Sequence, residues 1–208
     1  MNLEAIQGLH AQLIKSWPLL AASLMLGWLF VGMTSSWLTK AWLRWPSAAL
    51  VAAIAWIPYQ NAPIGAALSP ISSVISPMSM LLMMAAIQLG RERLFPASVW
   101  ALLLLLSIAI GLDLFAISPW RVLQWGYLAD ASRIGQAVLA TVLSLLILLI
   151  ALRRPILAAL CLLPALFWRF GLTPSPNLWE TYLDAPLAIA ALIGLLGHFK
   201  SSIRTSHE

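Results

Sequence analysis

Asp113, Arg121, Asp130 and Arg133 stand in one short stretch, GLDLFAISPWRVLQWGYLADASR (111–133), and Glu180 and Asp184 in another, GLTPSPNLWETYLDAP (171–186), with Arg169 just ahead of it. Two kinds of chemistry need such a mixture. Guanidinium groups grip an anionic headgroup through paired hydrogen bonds. Two carboxylates in unlike surroundings can divide the roles of general acid and general base, provided they come within roughly 5–10 Å of each other. The plainer alternative is that polar loops must separate apolar elements, with the charges stapling helix ends. No spacing in either stretch matches a catalytic motif, so the six residues form a candidate binding site and no catalytic residue is assigned. Asp113 stands out, because it falls in the last turn of an apolar run, where a charge requires a partner or water.

Other chemistry-bearing residues favour packing. Trp120, Trp125 and Tyr127 could stack on a sugar or a lipid, but membrane interfaces gather the same residues. Met78, Met80, Met83 and Met84 offer soft thioethers to Cu(I), yet no histidine or cysteine lies nearby in the chain; methionine is also an ordinary filler of irregular gaps. Cys161 is the single cysteine, so no intramolecular disulfide can form. A nucleophilic thiol needs a basic or positive neighbour; Arg169 is two turns away and His198 belongs to the opposite predicted face, which makes an inert thiol the expectation. His10, His198 and His207 share no metal-binding spacing, no glycine-rich phosphate loop occurs, and Lys200 lies at the end of the last run rather than inside it. Neither a metal nor a cofactor is expected.

The elements that would position these residues are membrane helices. The chain of 208 residues is 62% hydrophobic and 9% charged, against about 25% charged in a soluble domain. So few polar groups could not cover a globular surface, and the lipid bilayer is the expected surroundings. The net charge of +5 comes from Lys and Arg scattered singly between apolar runs, not from the basic stripe of a nucleic-acid binder. Seven runs stand out, at about 17–34, 46–59, 70–89, 96–117, 134–152, 155–170 and 183–199. A crossing takes about 20 residues, so the second and sixth runs are short; six crossings is the runner-up. The first run lacks a basic leader and a small-residue cleavage site, and reads as an uncleaved span. Pro46, Pro70, Pro96 and Pro155 fall where a helix's first turn has no use for an N–H. In SPISSVISPM (69–78), Pro77 should kink a helix whose freed carbonyls Ser73 could satisfy.

If all seven runs cross, one face receives Lys40, Arg44, Arg91, Arg93, Arg153, Arg154, Lys200 and Arg204, and the other Lys15, Arg121, Arg133 and Arg169. The excess marks the cytoplasmic side and predicts an outside N-terminus and a cytoplasmic C-terminus. Asp113, Asp130, Glu180 and Asp184 then share the outer face. Trp17, Trp37, Trp42, Trp45, Trp120, Trp125, Trp168 and Trp179 sit near run ends, as interfacial anchors do.

The expected fold is therefore an all-α polytopic inner-membrane bundle. A short amphipathic interfacial segment (1–16) precedes a single transmembrane domain (17–199) and a polar tail (200–208). The leading functional expectation is a non-enzymatic accessory or scaffold subunit of a bacterial envelope complex, with membrane-protein subunits as partners. A carrier or lipid-handling protein with an outer-facing mixed-charge site comes second, and a membrane-surface enzyme third.

Overall fold

The computed structural model describes residues 3–34, 37–59, 61–89, 95–115, 117, 122–127, 133–152 and 154–205. It is all-α apart from a two-residue ladder in which Pro58–Tyr59 pairs antiparallel with Ala62–Pro63. Asn61, in the turn between them, has φ 83°, a left-handed conformation that asparagine tolerates. The stretch read from the sequence as 17–199 is built of two compact units: Met1–Leu94 with Arg169–Pro174, and Phe95–Trp168 with Ser175–Glu208.

The first unit is organised around α1 (Leu3–Thr34). The segment 1–16 was expected to form a separate short helix, but from Leu3 onward it is continuous with the first apolar run. One Pro, Pro18, lies inside α1. Next comes α2 (Ala41–Ile54), which carries Pro46 in its interior, so the helix starts a turn earlier than that proline suggested. The two helices pack closely where a Cβ added to Gly27 would stand 2.9 Å from the Ala48 carbonyl oxygen. A 3-10 turn over Ile64–Leu68 leads into the short α3 (Ser69–Ser72), then α4 (Pro77–Leu89). Here Pro77 begins a helix instead of kinking one. Helices either side of the gap are bent by 118°, and the Ser76 hydroxyl accepts the Ser79 N–H, at 3.1 Å.

Helix α4 returns alongside α1 and in the same direction. Trp17 donates its indole N–H to the Ile75 carbonyl at 3.1 Å, Ala21 packs with Ile75 and Met83, and Val31 packs with Ala48 and Ile87. Met80 joins the Ala21 cluster, which makes these methionines packing residues. At the far end Arg44 donates to the Gln88 carbonyl at 3.1 Å and Trp45 to the Gln88 side chain at 2.7 Å, holding the start of α2 to the end of α4.

The second unit contains α5 (Ala97–Leu114), α6 (Val122–Trp125), α7 (Arg133–Ala151), α8 (Pro155–Leu160), α9 (Leu163–Arg169), α10 (Leu178–Tyr182) and α11 (Ala185–Thr205). Its strongest pairing is α5 against α11. The His198 ring nitrogen lies 3.1 Å from the Phe95 carbonyl, and a Cβ on Gly194 would meet the Trp100 indole at 2.6 Å. Residue numbers rise on one helix as they fall on the other, so the pair is antiparallel. Phe95 meets Trp100 edge to face, with ring centroids 4.9 Å apart.

Two helical segments among the described residues, Ile14–Thr34 and Ala97–Leu114, are long and apolar enough to cross a membrane, and the bent pair Ile64–Ser72 with Pro77–Leu89 is a third if it counts as one span. That is fewer than the seven crossings read from the sequence. The physical reasons are local. Helix α2 has 14 residues, or about 21 Å at 1.5 Å per residue, against a hydrocarbon core of about 30 Å. Breaks before Pro77 and Pro164 divide two further runs into pieces.

Close packing at Gly27 leads to a stability prediction. Gly27→Leu should lower the stability of the folded chain in detergent by about 1–3 kcal/mol, the usual cost of overpacking. Gly32→Leu should do little, because nothing lies within 4 Å of its added Cβ. Thermal unfolding of the two variants, compared with the parent, measures the difference.

Candidate functional site

Within the second unit, the 111–133 stretch and the part of the 171–186 stretch from Ser175 onward meet through backbone groups. Asp113, in the last turn of α5, directs its carboxylate to the Leu123 N–H at 2.7 Å. This is a charge-assisted bond at the start of α6, where the helix end also favours a negative group. The Leu123 carbonyl accepts in turn from the side-chain amide of Asn177 at 3.1 Å. One residue's peptide groups thus join Asp113 to the 171–186 stretch.

Asn177 is the centre of this joint and is completely buried. Its side-chain oxygen accepts the Trp179 N–H at 2.9 Å, which caps α10. Its own N–H donates to the Ser175 hydroxyl at 3.0 Å, and its carbonyl accepts from the Thr181 hydroxyl at 3.2 Å. Beside it the Leu178 N–H donates to the Gly126 carbonyl at 3.0 Å. Gly126 lies so close that an added Cβ would stand 1.8 Å from the Asn177 side-chain oxygen; only a residue with no side chain allows this approach. Trp168 closes the other side by donating to the Pro176 carbonyl at 2.6 Å.

Tyr182, at the end of α10, donates its hydroxyl to the Cys161 carbonyl at 2.9 Å. Burial first, and then the electrostatic influence of the neighbouring Cys161 sulfur, push its phenol up to about 12, against a smaller downward pull from the Ala165 backbone. It is a neutral donor at ordinary pH. Asp184 caps α11, with its carboxylate accepting the Leu187 N–H at 2.7 Å.

Of the six residues singled out from the sequence, Asp113 and Asp184 serve as helix-end acceptors, whereas Glu180 is exposed on α10. Arg133 opens α7; its side chain, with Arg121 and Asp130, lies outside the described residues. Among the described residues the 111–133 and 171–186 stretches touch where the Leu123 N–H meets Asp113 and the Leu123 carbonyl meets Asn177. Trp17 and Trp179 were read as interfacial anchors, but both are buried; Trp37, Trp42 and Trp45 are exposed, in keeping with that role. Sequence reading missed Asn177, Leu123 and Gly126. Asn177 had a legible signal: Asn followed three residues later by Glu180 is the pattern of a helix start. Leu123 had none, since its role lies wholly in its peptide groups.

Among the described residues no group of three His, Cys, Asp or Glu side chains could hold a metal ion. Compared with known protein families, curated proteins and solved structures, the chain matches none.

The joint should behave as a unit under mutation. Asn177→Ala removes a cap and leaves the Leu123 carbonyl without its side-chain partner, a loss of about 2–3 kcal/mol. Gly126→Ala should destabilise through the same contact, and the double variant should cost clearly less than the two losses combined. Chemical unfolding of the four proteins provides the cycle; additivity within about 0.5 kcal/mol would show that the two residues act apart. A second expectation concerns alkaline pH. The stability contributed by the neutral Tyr182 phenol is complete below pH 10.0, the ordinary phenol value, and is lost as pH rises through about 12. Tyr182→Phe should flatten that part of a stability-versus-pH curve.

Proposed function

We propose that this chain is a seven-pass, non-enzymatic scaffold subunit of a bacterial envelope complex, seated in the inner membrane with its N-terminus outside and its C-terminus cytoplasmic. The observation that carries this reading is how the polar groups are used. Asp113 and Asp184 brace helix ends, and Asn177 ties loop to helix. Meanwhile Ile189, Leu192, Ile193 and Leu196 form an exposed apolar stripe along α11, ending at the exposed Gly197. Small and apolar faces of this kind are what neighbouring membrane helices pack against.

Helix directions support seven passes. Helix α1 runs antiparallel to α2 and parallel to α4, as successive crossings require. The antiparallel pairing of α5 with α11 fits an even number of crossings between them, two if α7 and the α8–α9 run each cross. The uneven distribution of Lys and Arg supports the orientation.

Reporter fusions after residues 60, 125 and 178 should all read outside, and fusions after 40, 153 and 200 cytoplasmic. An unbroken cytoplasmic signal at the first three would reverse the orientation. Crosslinking in intact membranes followed by mild-detergent purification should recover a partner membrane subunit; a lone monomer would refute the scaffold reading. The same preparation separates it from a carrier or lipid-handling protein with a mixed-charge site. As a scaffold, Asp113→Asn is tolerated, because the amide oxygen still accepts the Leu123 N–H. A carrier would lose its function with Asp113→Asn and with Arg121→Gln while remaining folded and inserted.

A further inference from the structure

The connection from α2 to α4 carries no charge: residues 46–90 hold no Asp, Glu, Lys or Arg. It exposes apolar side chains instead. Trp56, Ile57, Tyr59, Ile71 and Val74 are exposed, while Ala55, Gly65, Ser72 and Ile75 are buried in the packing of the first unit. A charge-free patch of large exposed apolar residues marks a contact surface.

Helix α1 is a ruler for the depth of this connection. It includes the apolar segment Ile14–Thr34, and the exposed Lys15 near the start of that segment marks the headgroup level, because an ammonium group is expelled from hydrocarbon. Trp17 donates to the Ile75 carbonyl, and a Cβ added to Gly65 would stand 2.6 Å from the Leu19 side chain. Trp17 and Leu19 lie past Lys15 by about 3 Å and 6 Å along the helix axis, so the connection packs below the level of Lys15. Helix lengths agree. Arg44 and Trp45 hold the start of α2 to Gln88 at the end of α4. From that common level the two helices, of 14 and 13 residues, each rise about 20 Å. That is about 10 Å less than the hydrocarbon core. The segment Ile64–Ser72 is bent by 118° from α4, and so lies closer to the plane across α4 than to its axis.

Backbone at such a depth has no water to bond, and this connection pairs much of its own. Ile64 donates to the Ile57 carbonyl and Gly65 to the Ala55 carbonyl, each at 2.9 Å. Pro58–Tyr59 pairs with Ala62–Pro63. Ser73 donates to the Ser69 carbonyl at 2.9 Å and Ile75 to the Ser72 carbonyl at 3.2 Å.

We propose that residues 56–59 and 61–74 form a ledge immersed in the outer leaflet of the bilayer, with Trp56, Ile57, Tyr59, Ile71 and Val74 against lipid instead of water. This rests on the seven-pass reading, which puts the connection on the outer side. Trp and Tyr suit that depth, each having an apolar body and a polar tip. Lipid is the occupant because the ledge offers no charged group to a water-soluble partner, and because it packs below Lys15.

Ile57→Cys and Val74→Cys, each in a Cys161→Ala background of the full-length chain, test the ledge. Each cysteine carries a nitroxide in liposomes of phosphatidylethanolamine and phosphatidylglycerol. Spin relaxation then compares collisions with oxygen, which concentrates in lipid, and with a water-soluble nickel complex. Oxygen should win at both sites, and nickel at a label on Glu180→Cys, which is exposed on α10. A nickel excess at Ile57→Cys and Val74→Cys would make the connection a loop in water and overturn the proposal. Few collisions with either reagent would mean that protein covers the ledge, which also overturns it. Labelling of whole cells with an impermeant maleimide at Glu180→Cys and Lys40→Cys reads the orientation separately. Label at Lys40→Cys alone would reverse that orientation, while an oxygen excess at the two ledge sites would still uphold immersion, in the leaflet on the other side.

Discussion

A peptide group that leaves a helix in apolar surroundings has no water to bond and must meet another polar group. Much of the architecture of this chain answers that demand. Where α3 gives way to α4, the indole of Trp17 reaches across from α1 to the Ile75 carbonyl. At the end of α4 the guanidinium of Arg44 takes the Gln88 carbonyl. The starts of α6, α10 and α11 are met by Asp113, Asn177 and Asp184. Each of these side chains could have faced outward as a functional group, yet each is turned to the backbone. That is why a chain with few polar residues can still afford several helix breaks.

The same demand explains why close approaches matter. A polar side chain can serve a neighbouring loop only when the two backbones come near, and Gly126 makes that possible at Asn177. The α5–α11 pair uses a related device, with the Trp100 indole lying over Gly194 while His198 reaches the Phe95 carbonyl. Specificity in these units comes from where a Cβ is missing as much as from which apolar residue is present.

How much of this was legible beforehand follows from what each signal encodes. The helical nature of the chain and the places of its apolar runs could be read, because they depend on composition along the sequence. The two polar stretches could be picked out, since both hold charges between apolar runs. The partner of Asp113 could not, because Leu123 contributes an N–H that every non-proline residue possesses. Tryptophans misled for a similar reason: Trp17 and Trp179 lie near run ends, like interfacial anchors, but are buried in the packing. Pro46 lies inside a helix and Pro77 at the start of one; a proline marks a missing N–H without saying on which side of it the helix lies. The candidate site was legible as a region, and its working residues only in part.

The division of the chain into units also bears on the order of its synthesis. Residues Arg169–Pro174 belong to the first unit although Phe95–Trp168 intervenes. A ribosome releasing the chain from its N-terminus completes the α1–α2–α4 packing early, but delivers the last piece of that unit only after much of the second has been made. Neither unit is a finished product that can be sealed off before the other begins. All residues of the first unit are available for packing only once this six-residue segment has been made.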